Sequence, residues 1–578
     1  MKGFKTTFNI TLLFFLFGST FAQEIEWNHQ LQRSKSKDFF LNFKGDDNNN
    51  VYCVLSDDGN SFLTAFSRSS LEPIFKKKIP KLTVNNEKVY IFKTILLKDK
   101  FVLFGTFYKK NKKTKKQAKS IKYNMVAFTA DKYSGEINTK PIWLHKVDVE
   151  KKRKSGQFKL YYAPDNSKIL ITHSAYYKKK KRTIATFKLF NDNLDLIQEF
   201  SEDYKRNDSE KENKLGKDIR NIVIDKEGSI YYTIGLSKFV SLDVNKNYEK
   251  RVQKISIENF AKNGKGSNSR FIFDKKGNLI LFGLYSEYID REKHLILTDG
   301  GNSYYDGGLK GIYYIKINLD SKEILAQKTS NFDASFLKNF MTWREKRRDS
   351  KGMPIYIENV FSRFNFFLEE DASLIVLAEA YSHDYGYTWV YEEGGPNRKY
   401  LSSETIKYDD VIVFNVSSSG NLKWAQHIPK KQYFYQFTDE DRSVTSGSFQ
   451  TPLNKLVSTI NIFKKGGFVN QYHYTKYFST ISYVKDGKIV LIYNNHLKNN
   501  FTTLKKDLKK LKRIKTAYVD ARALDQKTGE IKAKKVLNGT QKQSPLCTRV
   551  YYKTSDNESI IVFGQKNKKY RIGKLVLN

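Results

Sequence analysis

Short runs of alternating apolar and polar residues recur along the whole chain, each stopped by a cluster of Asp, Asn, Gly and Lys. That is the mark of half-buried β-strands joined by tight turns. IVIDKEGSIYYTIG (222–235), FIFDKKGNLILFG (271–283), YYAPDNSKILITH (161–173), YVKDGKIVLIY (483–493) and YKTSDNESIIVFG (552–564) each read as a hairpin of two strands, A then B. In most cases a third strand and another turn follow, as in VAFTADKYSGEI (126–137), YYIKINLDSKEIL (313–325), VIVFNVSSSGNLKW (411–424) and VDARALDQKTGEI (519–531). Asp131–Gly135 and Asp525–Gly529 share the turn D-x-x-[ST]-G, in which the Asp carboxylate caps backbone N–H groups and the Gly takes a positive φ. These turns lead from a strand C into a strand D. Four antiparallel strands, repeated in one order at intervals of tens of residues, predict an all-β chain folded as a single β-propeller. A large β-sandwich does not require the same hairpin order each time. A–B hairpins near 39, 92, 158, 220, 270, 362, 480 and 548 give eight four-stranded blades, with seven as the alternative count.

Ring closure is also written in the pattern. QEIEWNHQ, from Gln23, resembles the D strands GEINTKPIWLHK and GNLKWAQH in placing Trp and then His after an apolar residue, whereas the C-terminus offers three strands and no fourth. Ile25–Leu31 is therefore expected to pair with Arg571–Leu577 and complete the last blade, which removes an open sheet edge.

The first residues bear on compartment. Lys2 and Lys5 precede the apolar run ITLLFFLFG and then Thr20-Phe21-Ala22, a signal-peptide pattern with cleavage expected after Ala22. The run is too short to span a bilayer, and no comparable segment follows. The expected organisation is a signal peptide at 1–22 and the propeller, with long insertions on one face, at 23–578. The expected location is exported, periplasmic or extracellular, with no lipid anchor because no Cys sits at the cleavage point. The D-x-x-[ST]-G-x-I turn resembles the repeat of pyrroloquinoline-quinone dehydrogenases and of related outer-membrane assembly lipoproteins, both eight-bladed. Two adjacent cysteines, the quinoprotein signature, are absent, so the resemblance implies architecture and no quinone cofactor. As a whole the chain resembles exported propeller-repeat proteins of Bacteroidota without an assigned activity.

Composition adds one unusual feature: 102 Lys and Arg stand against 61 Asp and Glu, a formal net charge of +41. Part of this excess is what drift toward Lys-, Asn-, Ile-, Phe- and Tyr-rich composition leaves on a solvated surface. Its distribution is more telling. In a propeller the A–B and C–D turns share one face and the B–C and D–A connections the other. The long segments, 108–123, 174–184, 286–310, 331–358, 381–408, 432–476 and 494–515, all belong to the second set, and function usually rides on such loops. Lysine runs around Lys112, Lys179 and Lys509 fall within the adjoining series of blades seven, eight, one, two and three and predict a positive arc. The last run also spaces Leu504, Leu508 and Leu511 as a short basic amphipathic helix would.

SHDYGYTWVYEEGG (382–395) matches the Asp-box S-x-D-x-G-x-T-W of sialidases. It stands alone, follows a second strand, and lacks the accompanying Arg-Ile-Pro segment. It reads better as a hairpin extension with Asp384 and Gly386 in the turn and with Tyr385, Tyr387, Trp389 and Tyr391 as candidate sugar-stacking aromatics. Asp299, Asp306 and Asp384, with Glu392 and Glu393, are the carboxylate source for the alternative function, a glycan hydrolase or lyase. The favoured reading is a non-enzymatic binding or scaffold protein for an anionic glycan, cell-surface or protein partner. Nucleic acid is disfavoured because few aromatics interleave with the charges. The histidines are scattered, so no metal site and no cofactor are expected. Cys53 and Cys547, far apart in sequence, fall in blades that ring closure makes neighbours, so a disulfide between them is a possible pairing.

Overall fold

The computed structural model describes residues 25–577 apart from 31–39, 58, 111–120, 150–154, 178–181, 206–218, 235–237, 256–263, 288–308, 341–348, 351–356, 358–360, 392–397, 439–475, 500–506, 513–516, 538–545 and 567–568. The described strands form eight four-stranded antiparallel sheets, plus one small hairpin at Thr83–Val84 and Glu87–Lys88. Their first strands are Phe40–Asp46, Tyr90–Leu96, Gln157–Tyr162, Ile219–Ile224, Gly264–Phe273, Phe361–Leu368, Thr480–Lys485 and Leu546–Lys553. The protein is an eight-bladed β-propeller, and the blades are numbered here in that order. First strands of most neighbouring blades touch one another, so strand A lines the inside of the ring.

Blade 8 takes its outer strand from the other end of the chain. Ile25–Gln30 pairs antiparallel with Lys569–Val576, with Ile25 opposite Leu575 and Trp27 opposite Gly573. The shared Trp/His pattern has a structural counterpart: the register shifts between Trp27 and His29, and again where Trp143 and His145 face Val126 and Met125. A second tie sits at the plain face, where Asp46 of blade 1 accepts hydrogen bonds from Tyr552 Oη at 2.7 Å and Ser555 N at 3.0 Å in blade 8.

Apolar clusters fill the gaps between successive blades. Tyr52, Leu63, Phe101 and Phe128 occupy the gap between blades 1 and 2; Ile375, Val413, Leu491 and Tyr493 that between 6 and 7; Ile481, Ile492, Ile560 and Leu575 that between 7 and 8. Each such side chain, fully buried, contributes roughly 1.5–3 kcal/mol. The alternation read from sequence thus becomes blade-to-blade packing, both sheet faces being covered. The C–D turns behave as expected: Asp131 Oδ1 accepts from Ser134 N at 2.7 Å and Asp525 Oδ1 from Thr528 N at 2.9 Å. Their glycines serve twice. Gly529 has φ +76°, and a Cβ there would lie 2.4 Å from the Trp424 ring of the preceding blade; Gly135 stands in the same relation to Phe75.

Candidate functional site: a polar cavity at the elaborated end of the ring

Strand A of each blade runs from the elaborated face toward the plain one, so residues early in these strands sit at the elaborated end of the inner wall. Arg363 lies early in Phe361–Leu368, Thr480 opens Thr480–Lys485, and Thr548 and Arg549 follow Leu546 in blade 8, while Asn365 and Tyr551 stand deeper, past the middle of their strands. Together with Glu379, Ser479 and an apolar patch of Leu377 and Val411, they enclose a cavity of about 230 Å³ where blades 6, 7 and 8 converge.

The cavity has a charged wall whose groups are differently engaged. Glu379 and Lys430 are both buried and form a direct ion pair. Ser479 Oγ donates to Glu379 at 2.5 Å and Thr480 Oγ1 at 3.2 Å. Lys430 also donates to Gln432 Oε1 at 3.3 Å, and Gln432 in turn accepts from Ser479 N and donates to Asn494 O, each at 2.8 Å. Burial pulls the Lys430 pKa below the usual lysine range even though the Glu379 carboxylate opposes that shift. The network fastens blade 6 to blade 7.

Arg363 is held differently. It faces Glu379 in the ladder, yet its guanidinium lies over the Tyr408 ring at 4.7 Å and the Tyr381 ring at 5.0 Å, and Nη2 donates to Tyr408 Oη at 3.1 Å. Arg549 approaches the same Tyr408 ring at 5.8 Å. Burial pushes the Tyr408 phenol up to about 12, so it stays neutral between the two cations.

Tyr381 and Tyr408 belong to the base of an extension peculiar to blade 6, whose last three strands are Leu374–Tyr391, Arg398–Val416 and Leu422–Thr438. Ile406, Tyr408 and, at the edge, Tyr381 and Phe434 pack into the cluster that otherwise fills the gap between blades 8 and 1. The extension therefore leans over the ring beside the cavity.

The structure corrects two local expectations. Asp384 and Gly386 are not in a turn. They lie within a continuous strand, opposite Thr405 and Ser403, because the spacing Tyr385, Tyr387, Trp389, Tyr391 is a strand period that the ladder follows to Tyr391 opposite Arg398. Asp384 is exposed, with Ser382 Oγ at 3.2 Å and Lys407 Nζ at 3.9 Å, and does not line the cavity. The basic segment near 504–515 is also not an amphipathic helix where it is described. Only Asp507 is in a short 3-10 turn, and Leu511 runs alongside strand D of blade 6, donating to Lys431 O at 2.9 Å and accepting from Tyr433 N at 3.1 Å. Leu508 and Leu511 are buried there, and Lys509, Lys510 and Lys512 are exposed. Anchoring two leucines on a sheet flank satisfied their spacing without a helix.

Lys509 is thus on the surface of that flank, its backbone clasped by Asn499 through bonds of 2.8 and 2.9 Å. Lys112, Lys179, Asp299 and Asp306 lie outside the described residues, as do Glu392 and Glu393. Tyr385, Tyr387, Trp389 and Tyr391 are placed by backbone register alone, at alternate positions continuing from Tyr381. Cys53 and Cys547 are free thiols, both buried in the cluster between blades 8 and 1. Burial pushes the Cys547 pKa up to about 12. Sequence reasoning missed Arg363, Arg549, Glu379 and Lys430. A signal was present in FSRFNFFL, LCTRVYY and LAEAY: single charges inside largely apolar or aromatic strand segments.

A second buried polar centre lies between blades 2 and 3, where His145 Nε2 meets Thr186 Oγ1 at 2.8 Å and His173 Nε2 meets Ser155 O at 2.6 Å. Burial lowers both pKa values, His145 to about 4. Among the described residues no group of three or more His, Cys, Asp or Glu is arranged to hold a metal ion, and no helix is long and apolar enough to cross a membrane.

No family model matches the chain, and no curated protein matches it significantly in sequence. Among solved structures, the chain is similar to the WD40 domain of SCAP from fission yeast, at 7% identity and a TM-score of 0.33, covering 95% of this chain and 98% of that one. It is also similar to the Dos1 propeller, at 7% identity and a TM-score of 0.26 over 82% and 89% of the two chains. A mutant apocarotenoid oxygenase of Synechocystis matches at 7% identity and a TM-score of 0.26 over 71% and 96%. The propeller assignment rests on the sheet topology itself.

Proposed function

We propose that the protein is an exported binding module that holds an anionic glycan on its elaborated face, with the cavity between blades 6, 7 and 8 as the recognition site. The observation that carries this reading is the pair Arg363 and Arg549 in a recessed, polar-lined cavity at the elaborated end of the ring. Exposed Lys509, Lys510 and Lys512 on the flank of the neighbouring extension extend the positive surface. Binding fits better than glycan hydrolysis, because the described lining holds one carboxylate, Glu379, and three side chains already engage it. Paired acid and base carboxylates, about 5–10 Å apart, are what that chemistry needs. Export is supported by the signal-peptide pattern, and cleavage after Ala22 leaves the closing strand Ile25–Gln30 intact.

The test is retention of the mature protein on immobilised polygalacturonate across a salt series, with dextran as the neutral control. Retention that falls as salt rises is expected, since exposed lysine contacts are screened. Replacing the runs around Lys112, Lys179 and Lys509 by Ser and Gly should shift elution to lower salt. Absence of binding to any acidic polysaccharide, with capture of a protein or of anionic cell envelopes instead, overturns the glycan assignment.

A further inference from the structure

We infer that the cavity is a subsite for a single carboxylate-bearing sugar ring, a hexuronate, with Arg363 as the carboxylate anchor; this rests on the glycan-binding reading above. Three features converge on it. Arg363 is oriented by aromatic faces and one phenol, an arrangement that uses one N–H and leaves the rest of the planar fork. Such a fork matches a carboxylate through two parallel hydrogen bonds, which a lysine cannot supply.

The carboxylate already in the wall does not compete. Glu379 faces Arg363 in the ladder, but its oxygens take hydrogen bonds from Lys430, Ser479 and Thr480. Among the described residues Arg363 makes no ion pair, the Glu379 carboxylate opposite it being held by Lys430. The Glu379–Lys430 pair thus keeps the wall's negative charge occupied and Arg363 available.

The remaining lining suits a sugar. Leu377 and Val411 offer an apolar patch for the C–H face of a ring. The cavity, about 230 Å³ and open on one side, is small, in keeping with a subsite for one residue of a longer glycan.

Calorimetric titration of the full mature protein with galacturonate, its methyl ester, galactose 6-sulfate and galactose tests the assignment. Galacturonate should bind, and the ester, of similar shape but uncharged, should bind far more weakly. Arg363→Gln should weaken galacturonate binding roughly 10- to 100-fold, the range for lost charged hydrogen bonds. Arg363→Lys, which keeps the charge without the fork, should recover only part of it. Thermal unfolding of each variant, expected to match the parent, separates loss of the anchor from loss of fold. Equal binding of the ester or the sulfate overturns carboxylate recognition. Salt-sensitive retention on polygalacturonate that is indifferent to Arg363→Gln overturns the subsite while leaving the glycan-binding module standing. No retention by the parent protein removes both.

Discussion

Blades 4 and 6 are built from the same four-strand unit and end up with opposite characters. In blade 4 the second and third strands, Ile230–Ile234 and Lys238–Asp243, are short, and the buried Thr233 of the second strand is met by a neutral amide, Asn221 Nδ2, at 3.3 Å. In blade 6 the corresponding strands run from Leu374 to Tyr391 and from Arg398 to Val416, and the second strand buries Glu379 against Lys430. One blade is scaffold and the other carries the candidate site. The difference lies in what the second strand buries at its elaborated end: a neutral polar group needs one partner, while a charge needs a counter-charge and a shell of hydrogen bonds.

The largest expected effect follows directly. Glu379→Gln leaves Lys430 buried without its counter-ion, and denaturant unfolding should show a loss of about 3–5 kcal/mol, the range for breaking a buried pair. Thr233→Val in blade 4, removing a neutral hydroxyl and its bond to Asn221, should cost only about 1 kcal/mol. Similar losses at the two positions would show that the charged centre of blade 6 is not energetically distinct.

A smaller effect is expected from cutting the extension itself. Because Asp384 faces Thr405, residues 385–404 can be replaced by Asn-Gly, the pair favoured in a two-residue hairpin turn. Tyr381, Ile406, Tyr408 and Phe434, which anchor the extension to the ring, all remain. The thermal midpoint should move by no more than a few degrees, about 1 kcal/mol in a protein of this size. A collapse of the fold instead would mean that the upper extension is structural, and blade 6 would then differ from blade 4 in stability as well as in site chemistry.

The least pronounced effect concerns acid. His145 and His173, like Thr233, represent the neutral manner of burying a polar group, because their folded pKa values are depressed below the ordinary histidine value. The unfolded chain therefore binds more protons once pH drops below about 6.5, and the stability these residues contribute is present above that pH and is lost as pH falls toward 4. His145→Gln should flatten the decline in thermal midpoint between pH 6.5 and 4. An unchanged decline would place the acid sensitivity elsewhere.

The repeat was legible because every blade uses the same local rules. Alternation marks the strands, and Asp131, Gly135, Asp525 and Gly529 mark turns whose hydrogen bonds and φ values need no distant partner. Even the long-range pairing of Ile25–Gln30 with Lys569–Val576 was readable, as a D-strand pattern at one end of the chain and a missing D strand at the other. The cavity was not. Arg363, Arg549 and Ser479 sit in three blades, and nothing local distinguishes Arg363 from the other basic residues of a chain with 102 of them. The same limit produced the two corrections: turn residues at Asp384 and Gly386 and leucines at 508 and 511 satisfy more than one local conformation, and neighbouring strands chose between them.

The sequence by itself determined the repeated four-strand blade of a propeller and the pairing that closes it, because these follow from strand period, turn chemistry and the order of hairpins, all short-range properties of the chain, while the choice of eight blades over seven came with the sheet topology. Tertiary structure alone decided that Glu379 answers to Lys430, that Arg363 answers to two tyrosine rings, and that these groups meet Arg549 around one cavity. The physical reason is that a charge is assigned its role by whatever reaches it within a few ångströms in a poorly solvated space, and here those neighbours come from other strands and, for Glu379 and Ser479, from another blade.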